Sequence, residues 1–174
     1  NFLKKNKSDW IFISAPENVA WILNIRGYDN PNSPIPNCHL LVGNNKIYLI
    51  TNTKNQNNLL KEKKIRYDQI IHPKNFESLI GNIIGKKIII DIKSCSYFYE
   101  NILSKKFTLL KKDDPIYLLK SIKNINEIKN MIKSHIFDGV ALTKFLYWIK
   151  VINHKKISEF DALQKLEKFR KKNQ

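Results

Sequence analysis

Few side chains in this sequence can do chemistry, and their types and spacing bound what is possible. The histidines are His39, His72, His135 and His154. No two are four apart and no HExxH occurs, so a helical metallopeptidase signature is missing. His135 and Asp138 lie three apart on one predicted helix and would share a metal only if two further ligands came from elsewhere. The simpler expectation is a helix-face histidine hydrogen-bonded in a core or interface. Cys38 beside His39 suggests a thiol-imidazole pair, but neighbouring strand residues point to opposite faces, so the two should diverge. Asp91, near the end of "KKIIIDI", sits where catalytic acids occur in α/β layers; a lone carboxylate there is expected to cap a loop or helix. Asp113-Asp114 are expected to be solvated or capping. GxxxxGK[ST], GxGxxG and GxSxG are absent. No catalytic residue and no metal ligand is assigned within the chain.

Composition narrows the class. At 174 residues the chain can bury about 68–70% of its unfolded surface, enough to fold without disulfides. Two cysteines without ladder spacing favour a reduced, cytoplasmic setting. No apolar run approaches ~18 residues, so no membrane span is expected. The N-terminus, Asn1-Phe2-Leu3-Lys4-Lys5, has no initiator Met or signal-like run and reads like a cut through the end of a helix. The net charge of +16 comes from 31 basic residues, of which only Arg26, Arg66 and Arg170 are arginine. Readers of base edges and phosphates favour the arginine fork. Lys, Asn and Ile are inflated together, as in A/T-rich coding, so a nucleic-acid partner is not expected.

The elements that must position these residues follow from periodicity. Residues 9–14 read as a buried strand, and Pro16-Glu17 opens a helix running to about Asn24. His39–Val42 and Lys46–Thr51 read as a hairpin around Gly43-Asn44-Asn45, residues that accept positive φ. A polar stretch, Asn52–Lys64, precedes a strand at Tyr67–Ile71. Then come a helix at Asn75–Ile84 capped by Gly85, a strand at Lys86–Ile92, a helix at Ser96–Ser104 and a strand at Phe107–Lys111. This order predicts an α/β layer with a mixed sheet. After Asp113-Asp114-Pro115 no strand is evident. A long helix from Asn126 carries Ile128, Ile132, His135, Gly139, Leu142, Leu146 and Ile149 on one face. Beyond the link 153–156, Ser158 with Asp161 makes a near capping box, and the helix it starts should bury Phe160, Leu163, Leu166 and Phe169. Two helices cannot cover their own apolar faces, so the expected domains are 1–113 and 114–174, the second incomplete.

Two stretches carry a resemblance. "DWIFISAPENVAWILNIRGYDNPNSPIPN" resembles the middle domain of three-domain Xaa-Pro aminopeptidases (aminopeptidase P) through Ala20-Trp21, Leu23-Asn24, Arg26-Gly27, Asp29 and Pro34-Ile35-Pro36. Prolidases and creatinase, which share the fold, look like Y-L-T/S-G-F here. The second stretch, from "INEIKNM" onward, is similar to the entry of that family's pita-bread catalytic domain. It matches at Glu127, Ile128, Met131, His135, Asp138, Gly139, Ala141, Leu142, Phe145 and Trp148, with Asn124 where the family has Lys.

The resemblance implies a creatinase/prolidase N-terminal-like α/β domain followed by the first helices of a metallopeptidase domain. It implies release of an N-terminal residue preceding proline, by two divalent ions, Mn²⁺, held by two Asp, one His and two Glu downstream of Gln174. It further implies peptide substrates with proline second, a homodimer, and a chain inactive by itself. The residues singled out as structural or interface candidates are Trp21, Asn24, Arg26, Gly27, Asp29, His135 and Asp138. Arg26 is expected to pair with Asp29 or a neighbouring domain, Gly27 to end the Trp21 helix. The competing readings are a non-catalytic binding module and a basic nucleic-acid-binding domain.

Overall fold

The computed structural model describes residues 2–52, 65–152 and 157–172. Residues 53–64, which fall in the expected polar stretch, and the link with His154 lie outside the described residues. By their contacts the residues form two compact units, Asn1–Ser121 and Ile122–Gln174.

Unit 1 begins with α1 (Phe2–Lys5), β1 (Trp10–Ile13) and α2 (Pro16–Ile22), then β2 (Cys38–Gly43) and β3 (Ile47–Thr51). Next come β4 (Ile70–Ile71), α3 (Phe76–Asn82), β5 (Lys87–Ile90), α4 (Tyr97–Ser104), β6 (Thr108–Lys111) and α5 (Pro115–Ser121). The sheet order is β4-β3-β2-β1-β5-β6, with β1 antiparallel to β2 and parallel to β5. Both faces are covered. Ile11, Ile13, Leu40, Leu49 and Ile89 pack on one side with Val19, Ala20 and Ile116, from α2 and α5. Phe12, Leu41, Ile50, Ile88 and Ile90 pack on the other with Phe76, Ile80, Ile102 and Leu103, from α3 and α4. This period-two division is why the strands read as near-continuous apolar runs.

Three local expectations are corrected. Tyr67–Gln69 is a 3₁₀ turn, not strand, because the Arg66 and Gln69 backbones close it: Gln69 N–H donates to the Arg66 carbonyl at 3.0 Å, and Arg66 N–H to the Gln69 side chain at 2.9 Å. The hairpin closes through Gly43 N–H to the Lys46 carbonyl at 2.8 Å, yet neither Asn44 nor Asn45 has positive φ. Gly43 is needed for space instead, since a Cβ there would meet the Trp10 ring at 2.7 Å. Gly85 does not cap α3, which ends at Asn82 with Ile83 as its C-cap; it takes φ +152° against Trp10 and Asp9.

Unit 2 holds α6 (Ile125–Val151) and α7 (Glu159–Lys172). Asn124, which departs from the family's Lys, is the N-cap of α6. Its side chain accepts from Asn126 and Glu127 N–H, both at 3.0 Å, while Glu127 accepts from Asn124 N–H at 2.8 Å. Ser158 and Asp161 close the corresponding box on α7. On α6 only Ala141 is buried; Ile132 and Leu146 are 57% and 52% exposed, so the apolar face stays open among the described residues. Phe160 and Leu163, expected on the buried side of α7, are exposed. The second half of α7 makes the contact, with Lys165 over the Trp148 ring at 5.3 Å and Arg170 Nε on Asp138 at 2.7 Å.

Candidate functional site

The "VAWILNIRG" stretch builds a helix end. Asn18, Val19 and Ala20 form the buried face of the seven-residue α2, whereas Trp21 is 40% exposed. Asn24 N–H donates to the Trp21 carbonyl and Ile25 N–H to the Ala20 carbonyl, a Schellman pair closed by Asn24 at φ 49°. Asn24 therefore supplies the left-handed residue expected of Gly27. Gly27 serves a different purpose: its N–H donates to the Pro34 carbonyl at 2.9 Å, with Pro36 packed against the space where a Cβ would stand. Arg26 is exposed and donates to its neighbour's carbonyl, Ile25 O, at 2.8 Å. Asp29 accepts from Asn37 N–H at 2.7 Å instead of pairing with Arg26, so the chain's turn toward β2 is secured by backbone rather than by an ion pair.

A second place is set by topology. β1 and β5 are parallel neighbours, yet the chain leaves β1 for α2 on one face and reaches α4, after β5, on the other. In open α/β sheets such a switch point is where ligands sit. Here it is closed. Ser14 and Ser94 share a hydroxyl hydrogen bond of 2.7 Å across it. Asp91 accepts from Lys93 N–H at 2.9 Å and from Asp114 N–H at 3.2 Å. Asp114 accepts from Ile116 N–H at 2.9 Å and from Asn18 Nδ2 at 2.7 Å. Both acids thus hold loops and a helix start, as expected of Asp91 and as capping groups of the Asp113-Asp114 type; Asp113 pairs with Lys93 at the surface.

Cys38 and His39 diverge as the pleat requires. Cys38 joins the core on the α2 face, where burial, then the Asp29 charge, pushes its thiol up to about 12. His39 turns into an aromatic nest on the other face, 4.6 Å from the Tyr99 ring and 5.6 Å from Phe12. Its Nδ1 donates to the Ser14 carbonyl at 2.8 Å, since a carbonyl can only accept. Burial holds its pKa below the ordinary 6.5, partly opposed by that hydrogen bond. The unfolded chain then takes up the proton first, so His39's contribution to stability is complete above about pH 6.5 and is lost as pH falls toward the folded pKa. Thermal melts between about pH 8 and about pH 5.5 are expected to lose less stability in His39→Asn, whose amide can still donate to Ser14, than in wild type. Equal slopes would show that His39 does not drive the change.

His135 is exposed, in an open apolar groove with Ile128, Met131, Ile132 and Ile136; Asp138 is engaged by Arg170. The dinuclear centre implied by the resemblance does not fit these residues. Among the described residues no group of three His, Cys, Asp or Glu side chains could hold a metal ion, and both buried acids spend their oxygens on the bonds above. No described helix is long and apolar enough to cross a membrane. Sequence reasoning missed Asn18, hidden in an apolar run, and the capping role of Asn124, for which Glu127 three residues on was the available signal.

Comparison with known proteins places the chain. It is 33% identical over 177 residues to Xaa-Pro aminopeptidase 1 of Dictyostelium discoideum, covering 97% of this chain and 28% of that protein. The same figures describe its match to Xaa-Pro aminopeptidase ApepP of Drosophila melanogaster. The chain therefore spans about 28% of the length of these relatives. Among solved structures it shares the fold of the X-prolyl aminopeptidase of Caenorhabditis elegans, described as a cytosolic enzyme with a di-nuclear active site. The TM-score is 0.78 at 22% identity, over 98% of this chain and 29% of that one. The family model of the creatinase/prolidase N-terminal domain matches residues 1–127, most of the sequence. With that model laid over the whole β-sheet and its flanking helices, the chain belongs to the creatinase/prolidase N-terminal domain family.

Proposed function

We propose that this chain is the non-catalytic scaffold portion of a cytoplasmic, homodimeric Xaa-Pro aminopeptidase, an enzyme releasing the N-terminal residue of peptides with proline second. The observation that carries the reading is the match of nearly the whole chain to two Xaa-Pro aminopeptidases, each about a third identical. In this reading α6 and α7 are the opening helices of the catalytic domain, which is consistent with their uncovered apolar side chains. The two metal ions, Mn²⁺, belong to residues beyond those present, and no step of the reaction is performed here. The switch point closed by Ser14, Ser94, Asp91 and Asp114 supports a scaffold over a ligand-binding module.

The test supplies the 174-residue chain with Mn²⁺ and a peptide carrying proline second. No release of the N-terminal residue above buffer background is expected; turnover by the chain alone overturns the scaffold assignment. The whole parent polypeptide is expected to release that residue, and its failure to do so removes the aminopeptidase reading.

A further inference from the structure

The last helix of unit 1, α5, is attached in an unusual way. Of its side chains only Ile116 is buried; Leu118 and Leu119 are 70% and 53% exposed. Its docking is polar. Asp114, 4% exposed, starts the helix by accepting from Ile116 N–H at 2.9 Å and takes the Asn18 amide at 2.7 Å. Asn18 is fully buried in α2, and its carbonyl oxygen accepts from Lys120 Nζ, one turn further along α5. Asp114 N–H is tied to Asp91 at the end of β5, and Tyr117 donates to Glu17 at 3.0 Å. Asn18 thus has both ends of its amide committed to α5, the nitrogen to a carboxylate and the oxygen to an ammonium. Neither end can be exchanged by flipping the amide, because that would set the NH₂ against Lys120 and the oxygen against Asp114.

We propose that α5 is a strap latched by the Asp114–Asn18–Lys120 chain, able to release from the sheet as a unit while the core stays folded. Two features make this a latch. One buried isoleucine cannot hold seven residues of helix, and local opening in proteins is drawn from segments with few buried apolar contacts. Buried polar groups also act all or none, since losing one partner strands the others.

Hydrogen exchange on the 174-residue chain, followed by mass spectrometry, tests this. In wild type the amides of residues 116–121 are expected to exchange faster than those of β1 and β5, and independently of low urea. Asp114→Asn keeps the side-chain shape and the bond to Ile116 but turns an amide toward the Asn18 amide. It is expected to speed exchange at 116–121 by about tenfold or more, leaving 10–13 and 87–90 at wild-type protection. The double exchange N18D/D114N again offers a donor at one position and an acceptor at the other, with the acceptor still facing Lys120, and is expected to restore most of the lost protection. Three results overturn the proposal: α5 and the strands losing protection together in Asp114→Asn, no change at 116–121, or no recovery in the double variant. Because the wild-type measurement and the double variant do not depend on peptidase activity, failure here is distinguishable from failure of the aminopeptidase reading.

Discussion

Phe76→Ala is expected to lower the free energy of unfolding by about 3–5 kcal/mol, the range for truncating a fully buried aromatic. Phe76 is 0% exposed and starts α3 against the sheet. Its ring stands 5.4 Å from Phe12 and 5.1 Å from Tyr99, edge-on to the latter at 89°. Phe12 and Tyr99 also enclose His39, so the ring anchors α3, α4, β1 and β2 in one cluster. The loss has two parts: apolar surface no longer withdrawn from water, and a cavity that four surrounding elements can only partly close. Against a typical net stability of about 5–15 kcal/mol this is a large share. Urea titration monitored by far-UV circular dichroism checks it. A midpoint within error of wild type would mean that this cluster does not stabilise the sheet. Phe76→Leu, which keeps most of the volume, is expected to recover more than half of the loss.

Gly27→Ala carries the second large effect, about 1–3 kcal/mol, toward the upper end of the range for overpacking. A Cβ at Gly27 would stand 2.6 Å from both Cα and Cβ of Pro36 and 3.0 Å from its nitrogen. A flexible side chain could swing away, but the backbone of a proline that follows Pro34-Ile35 cannot, and Pro36 is itself buried. Relief therefore requires moving the segment that delivers the chain to β2 and breaking the bond from Gly27 N–H to the Pro34 carbonyl. Gly81→Ala provides the contrast. It lies inside α3 with nothing within 4 Å of its Cβ position, so it should stabilise by up to about 1 kcal/mol through helix propensity. Chemical denaturation of both variants tests the pair, and a Gly27→Ala protein as stable as wild type would sink the steric account.

Much of the fold was legible because its causes are local. Short apolar runs assigned β1 and β5, the turn residues between two such runs assigned β2 and β3, and the Ser158–Asp161 box marks the start of α7. Tyr67–Gln69 escaped because Tyr67 and the apolar pair Ile70-Ile71 suggested one strand, whereas only Ile70–Ile71 is strand and Arg66 and Gln69 close a turn before it. The "NIRG" stretch was informative as a motif while its physics was misassigned. Both Asn and Gly tolerate positive φ, and only the coordinates show that Asn24 takes it while Gly27 answers to a proline nine residues on. Phe160 and Leu163 were placed inward by periodicity alone, which finds an apolar face but not what stands opposite it.

What the sequence by itself determined is most of the elements, though not α5, together with the mixed α/β class and the family, because these depend on patterns within a few residues or on matched runs of them. What only the tertiary structure decided is pairing across distance. Asn18 meets Asp114 over 96 positions because β1, β5 and β6 lie side by side and α2 and α5 pack on the same face of the sheet. A side chain's burial and its partner are properties of that arrangement, so no local pattern encodes them.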